Sequence, residues 1–444
     1  MSAIDSTHRK SPLHIIIVGG GIGGLFTAIA LRSRCDYSVT VLEKNSALRC
    51  AGGTIALQPS AVRIIKAYGL GPVFEKNMRV GPEAWWRWRR YNSGELLAER
   101  EGRSYKETFG CESWSFSRQR LLEILGKAVV DRGVEVRLGC RIVGFEDCVR
   151  PCLTLENGDK VRADVVVGAD GIHSFVRGCV ILRDEFKVTT ALHAWMVKIP
   201  LDGLESDPDI LPYLQDVNFW LGPGRSITSA SIPQENVYNM TLFIDEKGDD
   251  QGFQLSGKDF SKAIQSFGSF NPFITKILTR AQGEQAYFWR VYEVSPLRSW
   301  RSKGGRIVLL GDSAHAMVPF AAQGASQCIE DAVTLAECLS HHHDGVGLGR
   351  LLQIYEEIRK PRAESVAARS AVRRVTFHLA DGSEQQERDR KMQKQGRSYK
   401  PDRQTWNGEH IDEPPAVDSP LHDPYLLGYD AISHVSSNHL HRLA

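Results

Sequence analysis

No run of the sequence approaches the ~20 consecutive apolar residues that a membrane-crossing helix needs, so no bilayer span is expected. Charge of one sign is also scarce. The 55 Lys and Arg nearly balance the 53 Asp and Glu, and a net charge of +2 gives no reason to expect nucleic acid or an anionic membrane as a partner. The nine cysteines (35, 50, 111, 140, 148, 152, 179, 328 and 338) are odd in number and scattered. They contain no C-x-x-C pair and no Cys/His grouping with zinc spacing, so free, mostly buried thiols are expected rather than a disulfide framework or metal site. His341-His342-His343 has no carboxylates arranged around it and reads as a solvated loop. Met1 to Ser11 is polar and leads at once into an apolar run, so no secretory leader is expected and the location is read as cytoplasmic. No internal repeat is evident. What is present, 42% apolar residues over 444 positions, suffices for two or three domains' worth of core.

The most informative stretch is Leu13 to Glu43. Leu13 to Val18 is apolar and β-branched, as in a buried strand. It stops at Gly19-Gly20-Gly21-Ile22-Gly23-Gly24, which gives G-x-G-x-x-G at Gly19, Gly21 and Gly24. A helical stretch from Leu25 to Arg34 and a second strand from Ser38 to Leu42 follow, ending in Glu43. Gly19 would allow the tight turn, Gly21 the approach of a pyrophosphate, and Gly24 close helix–strand packing. The helix N-terminus would hold the phosphates. Glu43, about 20 residues on, can accept from a ribose hydroxyl and disfavours a 2′-phosphate, so FAD or NAD fits better than NADP.

Further along, Gly52-Gly53-Thr54-Ile55-Ala56-Leu57 suggests backbone passing close to something flat. Trp85 to Tyr91 and Glu95 to Ala98, joined by Asn92-Ser93-Gly94, read as a hairpin, its tryptophans as sheet packing rather than a substrate cage. Ser117 N-caps a helix to Arg132. Between about Leu182 and Ala286 the segments Ala191–Ile199, Val217–Leu221, Ser226–Ile232 and Val237–Ile244 suggest an antiparallel sheet. Parallel character returns at Arg306 to Leu310, followed by two long helices, through about Leu339 and from Leu351 to Phe377. Beyond Asp381 the charged chain, Glu384 to Arg403 above all, is expected to be peripheral. Three glycine-bearing strand ends, Gly19 to Gly24, Gly168 to Gly171 and Gly311-Asp312, share one design. Such ends converge on the ligand crevice of an open α/β sheet, and an elongated ligand such as FAD would need all three.

Val165 to Arg177 resembles the Asp-Gly motif of group A flavoprotein monooxygenases, and Val308 to Ala332 their Gly-Asp motif. Ser117 to Leu122 resembles the family segment in which an Arg, here Arg118, contacts the cofactor. Pro424 to Asp430 is similar to the tail of fungal salicylate-hydroxylase-like members. The resemblance implies an α/β fold: a Rossmann-like FAD-binding domain of the glutathione-reductase type, an inserted antiparallel substrate domain and C-terminal helices. The expected boundaries are 1–181 and 287–380 for the FAD-binding domain, 182–286 for the substrate domain, and 381–444 for an extension. FAD would be held by Gly19, Gly21, Gly24 and Glu43 at the adenosine end and by Arg118 along the linker. Asp312 would bind the ribityl chain, and Gly324 and Ala325 would meet the pyrimidine edge at a helix start. Gly53 and Asp170 complete the expected set.

The implied reaction uses NADPH or NADH as a transient reductant, since no second G-x-G-x-x-G is visible, and O2 through a flavin C4a-hydroperoxide. The product would be a hydroxylated or epoxidised aromatic, as in secondary metabolism. The substrate-side residues depart from relatives. Met196 stands where many carry Arg, and Ala230 where some carry Tyr. No His or Asp near Gly53 offers to take a substrate proton, and His173, His193 and His315 are the candidate acid/base groups. Two alternatives remain open. Trp195 to Pro200 resembles the halogenase pattern W-x-W-x-I-P, with Val197 in place of its second Trp. A flavin-binding scaffold without turnover is the other.

Overall fold

Ile15, Ile16 and Ile17 are fully buried because both faces of their strand are covered, which is why the run is continuously apolar rather than alternating. In a computed structural model, which describes residues 12–49, 53–78, 84–245, 260–281, 286–394, 411, 413–416, 419 and 421–438, this strand is the centre of a five-stranded parallel sheet. The order is Ile307–Leu309, Val165–Gly168, His14–Val18, Ser38–Leu42, Glu135–Arg137. Register places Val18 beside Gly168 and Leu42, so the glycine turns leave the sheet at one edge. Helices Ile22–Arg34 and Gly324–Ser340 pack together over the sheet and bury its apolar face. The α/β architecture read from the sequence is therefore present.

A seven-stranded sheet forms the second layer, in the order Ala286–Val294, Val188–Pro200, Val237–Ile244, Arg225–Ile232, Val217–Gly222, Trp85–Arg90, Leu96–Glu101. Every pairing is antiparallel except that of Trp85–Arg90 with Val217–Gly222. The expected span 182–286 thus supplies its middle, while the Trp85 hairpin and Ala286–Val294 supply the edges. Period-two alternation separates its faces. Trp195, Ile227, Tyr238 and Met240 pack outward under helices Phe260–Ser266 and Pro272–Arg280. Met196, Thr228, Asn239 and Thr241 point the other way, toward the parallel unit.

The C-terminal stretch departs from expectation. Ser383–Lys394 is a helix, and His422–Gly428 and Ala431–Asn438 are docked rather than peripheral. Tyr425, Leu426 and Leu427 pack on Tyr105, Phe109 and Val366, while Tyr429, Ala431 and Val435 join the main core. An ion-paired core residue explains the docking. Arg362, on the long helix Leu348–Phe377, bonds Glu330 through Nε at 2.6 Å and the carbonyl of Tyr425 through Nη1 at 2.9 Å, under the ring of Tyr429. The tail therefore carries carbonyls that a buried guanidinium needs. Cys50, Gly52 and residues 395–403 lie outside the described residues. The eight described cysteines are free thiols, and no metal-binding cluster occurs among the described residues. No helix among them is long and apolar enough to cross a membrane.

Candidate active site

The three glycines of the first turn do three different things. Gly19 has φ +112°, and a Cβ there would stand 2.3 Å from the carbonyl oxygen of Ala169. A Cβ on Gly24 would stand 2.0 Å from the oxygen of Gly19, so the helix can approach the strand only without a side chain. A Cβ on Gly21 would meet nothing within 4 Å, because the residue opens on a cavity. Helix Ile22–Arg34 starts with no side-chain cap and no acidic residue in its first turn, leaving backbone N–H donors for a ligand. Glu43, also on the cavity wall, is held rigidly. Its Oε2 accepts from the N–H of Gly20 (2.8 Å), and its Oε1 from the backbone and side-chain nitrogens of Asn45 (2.9 and 2.7 Å).

Ser117 caps helix Arg118–Asp131, its Oγ accepting from the N–H of Arg120 at 3.1 Å, which sets Arg118 at the cavity. The N–H of Arg118 donates to the carbonyl of Gly53 at 3.1 Å. A Cβ on Gly53 would come within 2.5 Å of Met196 Sδ, so Gly53 marks where the two layers touch. Asp170, expected among the cofactor-binding residues, is not among the cavity's lining residues. Its carboxylate accepts from Ser174 Oγ and from the N–H groups of Phe175 (2.7 Å) and Val176 (3.0 Å), capping helix Phe175–Val180 instead of facing the cavity. Burial raises its pKa against those bonds. Its neighbours Ala169, Gly171 and Ile172 line the cavity.

Asp312 is exposed toward the cavity, while Gly311 and Ser313 on either side are buried. Its turn is fixed from behind. Gly311 has φ +64° and donates its N–H to Asp331 Oδ2 at 3.0 Å, an oxygen that His315 Nε2 shares at 2.7 Å. Arg359 Nε bonds the other oxygen at 2.7 Å. Burial would raise the Asp331 pKa, but His315 and Arg359 bring it down to about 2. His315 is thus tied to the Asp331 carboxylate behind the turn and is not among the cavity's lining residues. His173 packs edge-on against Tyr292. Beyond Pro319, Ala322 takes φ +52°, uncommon for a residue with a Cβ. Helix Gly324–Ser340 then opens with no side-chain cap, and Gln323 Nε2 beside it is buried without a hydrogen-bond partner.

Gly21, Glu43, Gly53, Arg118, Asp312, Gln323, Gly324 and Ala325 line one cavity of about 1480 Å³, whereas Gly19, Gly24 and Asp170 are not among its lining residues. Small-molecule sites run to roughly 1,000 Å³, so there is space for a dinucleotide and a second ligand. The residues fit FAD: two uncapped helix starts, a carboxylate at the ribose distance, a second at the middle turn, and an unpaired Gln323 donor at the far end. The second chamber is walled by the inner face of the large sheet. Trp86 and Trp88, expected to be sheet packing, stack on Phe219 with centroids 5.8 and 5.1 Å apart and form part of that wall. Met196 and Ala230, the positions that depart from relatives, lie on the same face, next to Asn239 with its buried, unpartnered Oδ1. One group had no sequence signal. Asp423 of the tail bonds Arg373 (2.7 Å) and Arg100 (3.3 Å) at the cavity's end. Burial opposes the charge of Asp423, yet Arg373, Arg100 and Arg369 hold its carboxyl well below the usual range.

Residues 13–370 match the model of the FAD binding domain family. The chain is 33% identical over 396 residues to 3-amino-4-hydroxybenzoate 2-monooxygenase PtnB3 of Streptomyces platensis, covering 87% of this chain and 93% of that one. It is 26% identical over 431 residues to the FAD-dependent monooxygenase OpS4 of Beauveria bassiana, covering 96% of each. A solved salicylate hydroxylase substrate complex shares the fold, with a TM-score of 0.76 over 96% of this chain and 98% of that one at 19% identity. The chain accordingly belongs to the FAD binding domain family, among its FAD-dependent monooxygenases.

Proposed function

We propose that this monooxygenase hydroxylates or epoxidises an electron-rich aromatic substrate of secondary metabolism, with NADPH or NADH as transient reductant and O2 as oxidant. The carrying observation is the continuity of one cavity from Gly21 and Glu43, past Asp312 and Gly324, to Trp88 and Phe219. Bound FAD supplies electron transfer from the nicotinamide and activation of O2. In this reading the N–H groups after Gly21 hold the pyrophosphate, Glu43 the adenosine ribose and Asp312 the ribityl hydroxyls. The N–H groups of Gly324 and Ala325 face the pyrimidine edge, where a helix dipole favours negative charge. Arg118 lies along the linker. The tryptophan wall holds a flat ring and excludes water from the reacting atoms. The Streptomyces relative, a 3-amino-4-hydroxybenzoate 2-monooxygenase, supports a ring bearing hydroxyl or amino groups.

The test is to purify the protein, record its visible spectrum and follow NADPH and NADH oxidation against phenols, indoles and aromatic polyketides. The expected result is a yellow protein whose reductant consumption rises with a substrate of one of these classes and consumes O2 in step. A colourless preparation that added FAD leaves colourless overturns the proposal.

A further inference from the structure

We propose that Ser226, His378 and Asp245 form a path that carries a proton from a hydroxyl on the bound aromatic substrate out of the cavity to solvent. The inference rests on reading the second chamber as a phenol-type substrate site. Ser226 Oγ lies 2.9 Å from His378 Nε2, and His378 Nδ1 lies 3.5 Å from Asp245 Oδ2. The three residues come from two layers and are fixed by backbone. The N–H of Gly224 donates to the carbonyl of His378 (3.0 Å), and the N–H of Asp245 donates to the carbonyl of Gly224 (2.8 Å). His378 itself ends helix Leu348–Phe377, its N–H donating to Arg374 O, and Phe320 of the flavin-side turn meets its ring edge-on at 5.2 Å.

The direction of the path follows from hydrogen-bond roles. With Nδ1–H directed at the Asp245 carboxylate, neutral His378 has only a lone pair at Nε2, so Ser226 must donate to it. The Ser226 oxygen is then left as an acceptor. Ser226 shares the cavity-lining face with Thr228 and Ala230, so that acceptor is offered to a bound hydroxyl. When the substrate O–H bond breaks, its proton goes to Ser226 Oγ as the Ser226 proton passes to His378 Nε2. The Nδ1 proton then leaves toward Asp245, whose side chain keeps 20% of its surface in solvent. The electron pair stays on the substrate oxygen and enriches the ring for electrophilic attack. Burial lowers the His378 pKa, with Arg374 and Arg225 acting in the same direction and Asp245 against them, so the ring is neutral and able to accept near pH 7. The path fills the role for which no residue near Gly53 offers itself.

The experiment uses the FAD-loaded full-length protein with 4-nitrophenol as the probe, since its phenolate is yellow and its ionisation can be followed after a rapid pH jump. Wild type is compared with Ser226→Ala, Ser226→Thr and His378→Gln, each checked for unchanged FAD content. The expected result is that Ser226→Ala and His378→Gln slow ionisation of the bound probe by about a hundredfold, the low end of a positioned base's contribution. Its final extent stays unchanged and Ser226→Thr restores most of the rate, an outcome that a purely structural role would not give. In wild type the rate falls as pH drops through the His378 ionisation, below the ordinary ~6.5. Equal rates in all four proteins overturn the path alone. Failure of the probe to bind wild type overturns the phenol reading of the chamber and the path with it. Hydrolysis of 4-nitrophenyl acetate that depends on Ser226 overturns the path in favour of an acyl-transfer nucleophile.

Discussion

Replacing Gly21 and Gly24 separately by Ala distinguishes binding from packing within one turn. At Gly21 the backbone has φ −79° and an added Cβ meets nothing within 4 Å, so the flavin-free protein should be neutral to the change within about 1 kcal/mol. The methyl group projects instead into the space where a pyrophosphate would approach the uncapped helix start. Displacing two charge-assisted hydrogen bonds of about 1.5–3 kcal/mol each weakens FAD binding by about a hundredfold or more. At Gly24 the Cβ would sit 2.0 Å from the oxygen of Gly19, more than an ångström too close, and helix Ile22–Arg34 must shift off the strand it covers. Overpacking of this kind costs about 1–3 kcal/mol. The assay is thermal unfolding of the flavin-stripped proteins, followed by FAD titration through quenching of flavin fluorescence. Gly24→Ala should lower the apo Tm, whereas Gly21→Ala should leave it in place and lose the cofactor. Wild-type FAD affinity in Gly21→Ala, or an apo Tm lowered as far as in Gly24→Ala, refutes the reasoning.

Asp312→Ala, at an exposed position, should leave the apo Tm unchanged and weaken FAD retention, measured as flavin lost on gel filtration. Arg362→Met strips the buried Glu330 of its 2.6 Å partner and the tail of a donor to Tyr425 and Leu426, so urea unfolding should show a loss of about 3–5 kcal/mol. Limited proteolysis should then cut the tail first. Docking of the tail should also depend on pH through His422. Burial, reinforced by Arg369, lowers its pKa to about 4 from an unfolded value near ~6.5. Protonation therefore favours the undocked tail, so the stability is complete above ~6.5 and is lost as pH falls toward about 4. Proteolytic release of the tail should rise over that window and do so less steeply in His422→Gln.

What could be read from the sequence is what neighbouring residues determine among themselves. The strand–glycine–helix unit, the Ser117 cap and the Gly311-Asp312 turn each depend on a few consecutive positions, and the structure has all three. Asp170 shows where local reading becomes ambiguous. The same Asp before Gly171 could serve a ligand or cap the helix that starts five residues on, and only the direction of its carboxylate decides. Trp86 and Trp88 show a second kind of ambiguity. Alternation tells that both share a face, but that face lines the cavity because Val217–Gly222, with Val217 paired to Trp86 and Phe219 to Trp88, runs alongside and puts Phe219 against them. The residues that went unread depend entirely on distant pairing. Arg100 meets Asp423 across 323 residues, and Ser226 meets His378 across 152. Neither an arginine on a strand nor a histidine after a helix is unusual, so composition around each is silent. A flavin-binding turn must be built locally because it wraps a fixed ligand with its own backbone. A substrate chamber is built where two layers happen to close, and its chemistry is written in their register.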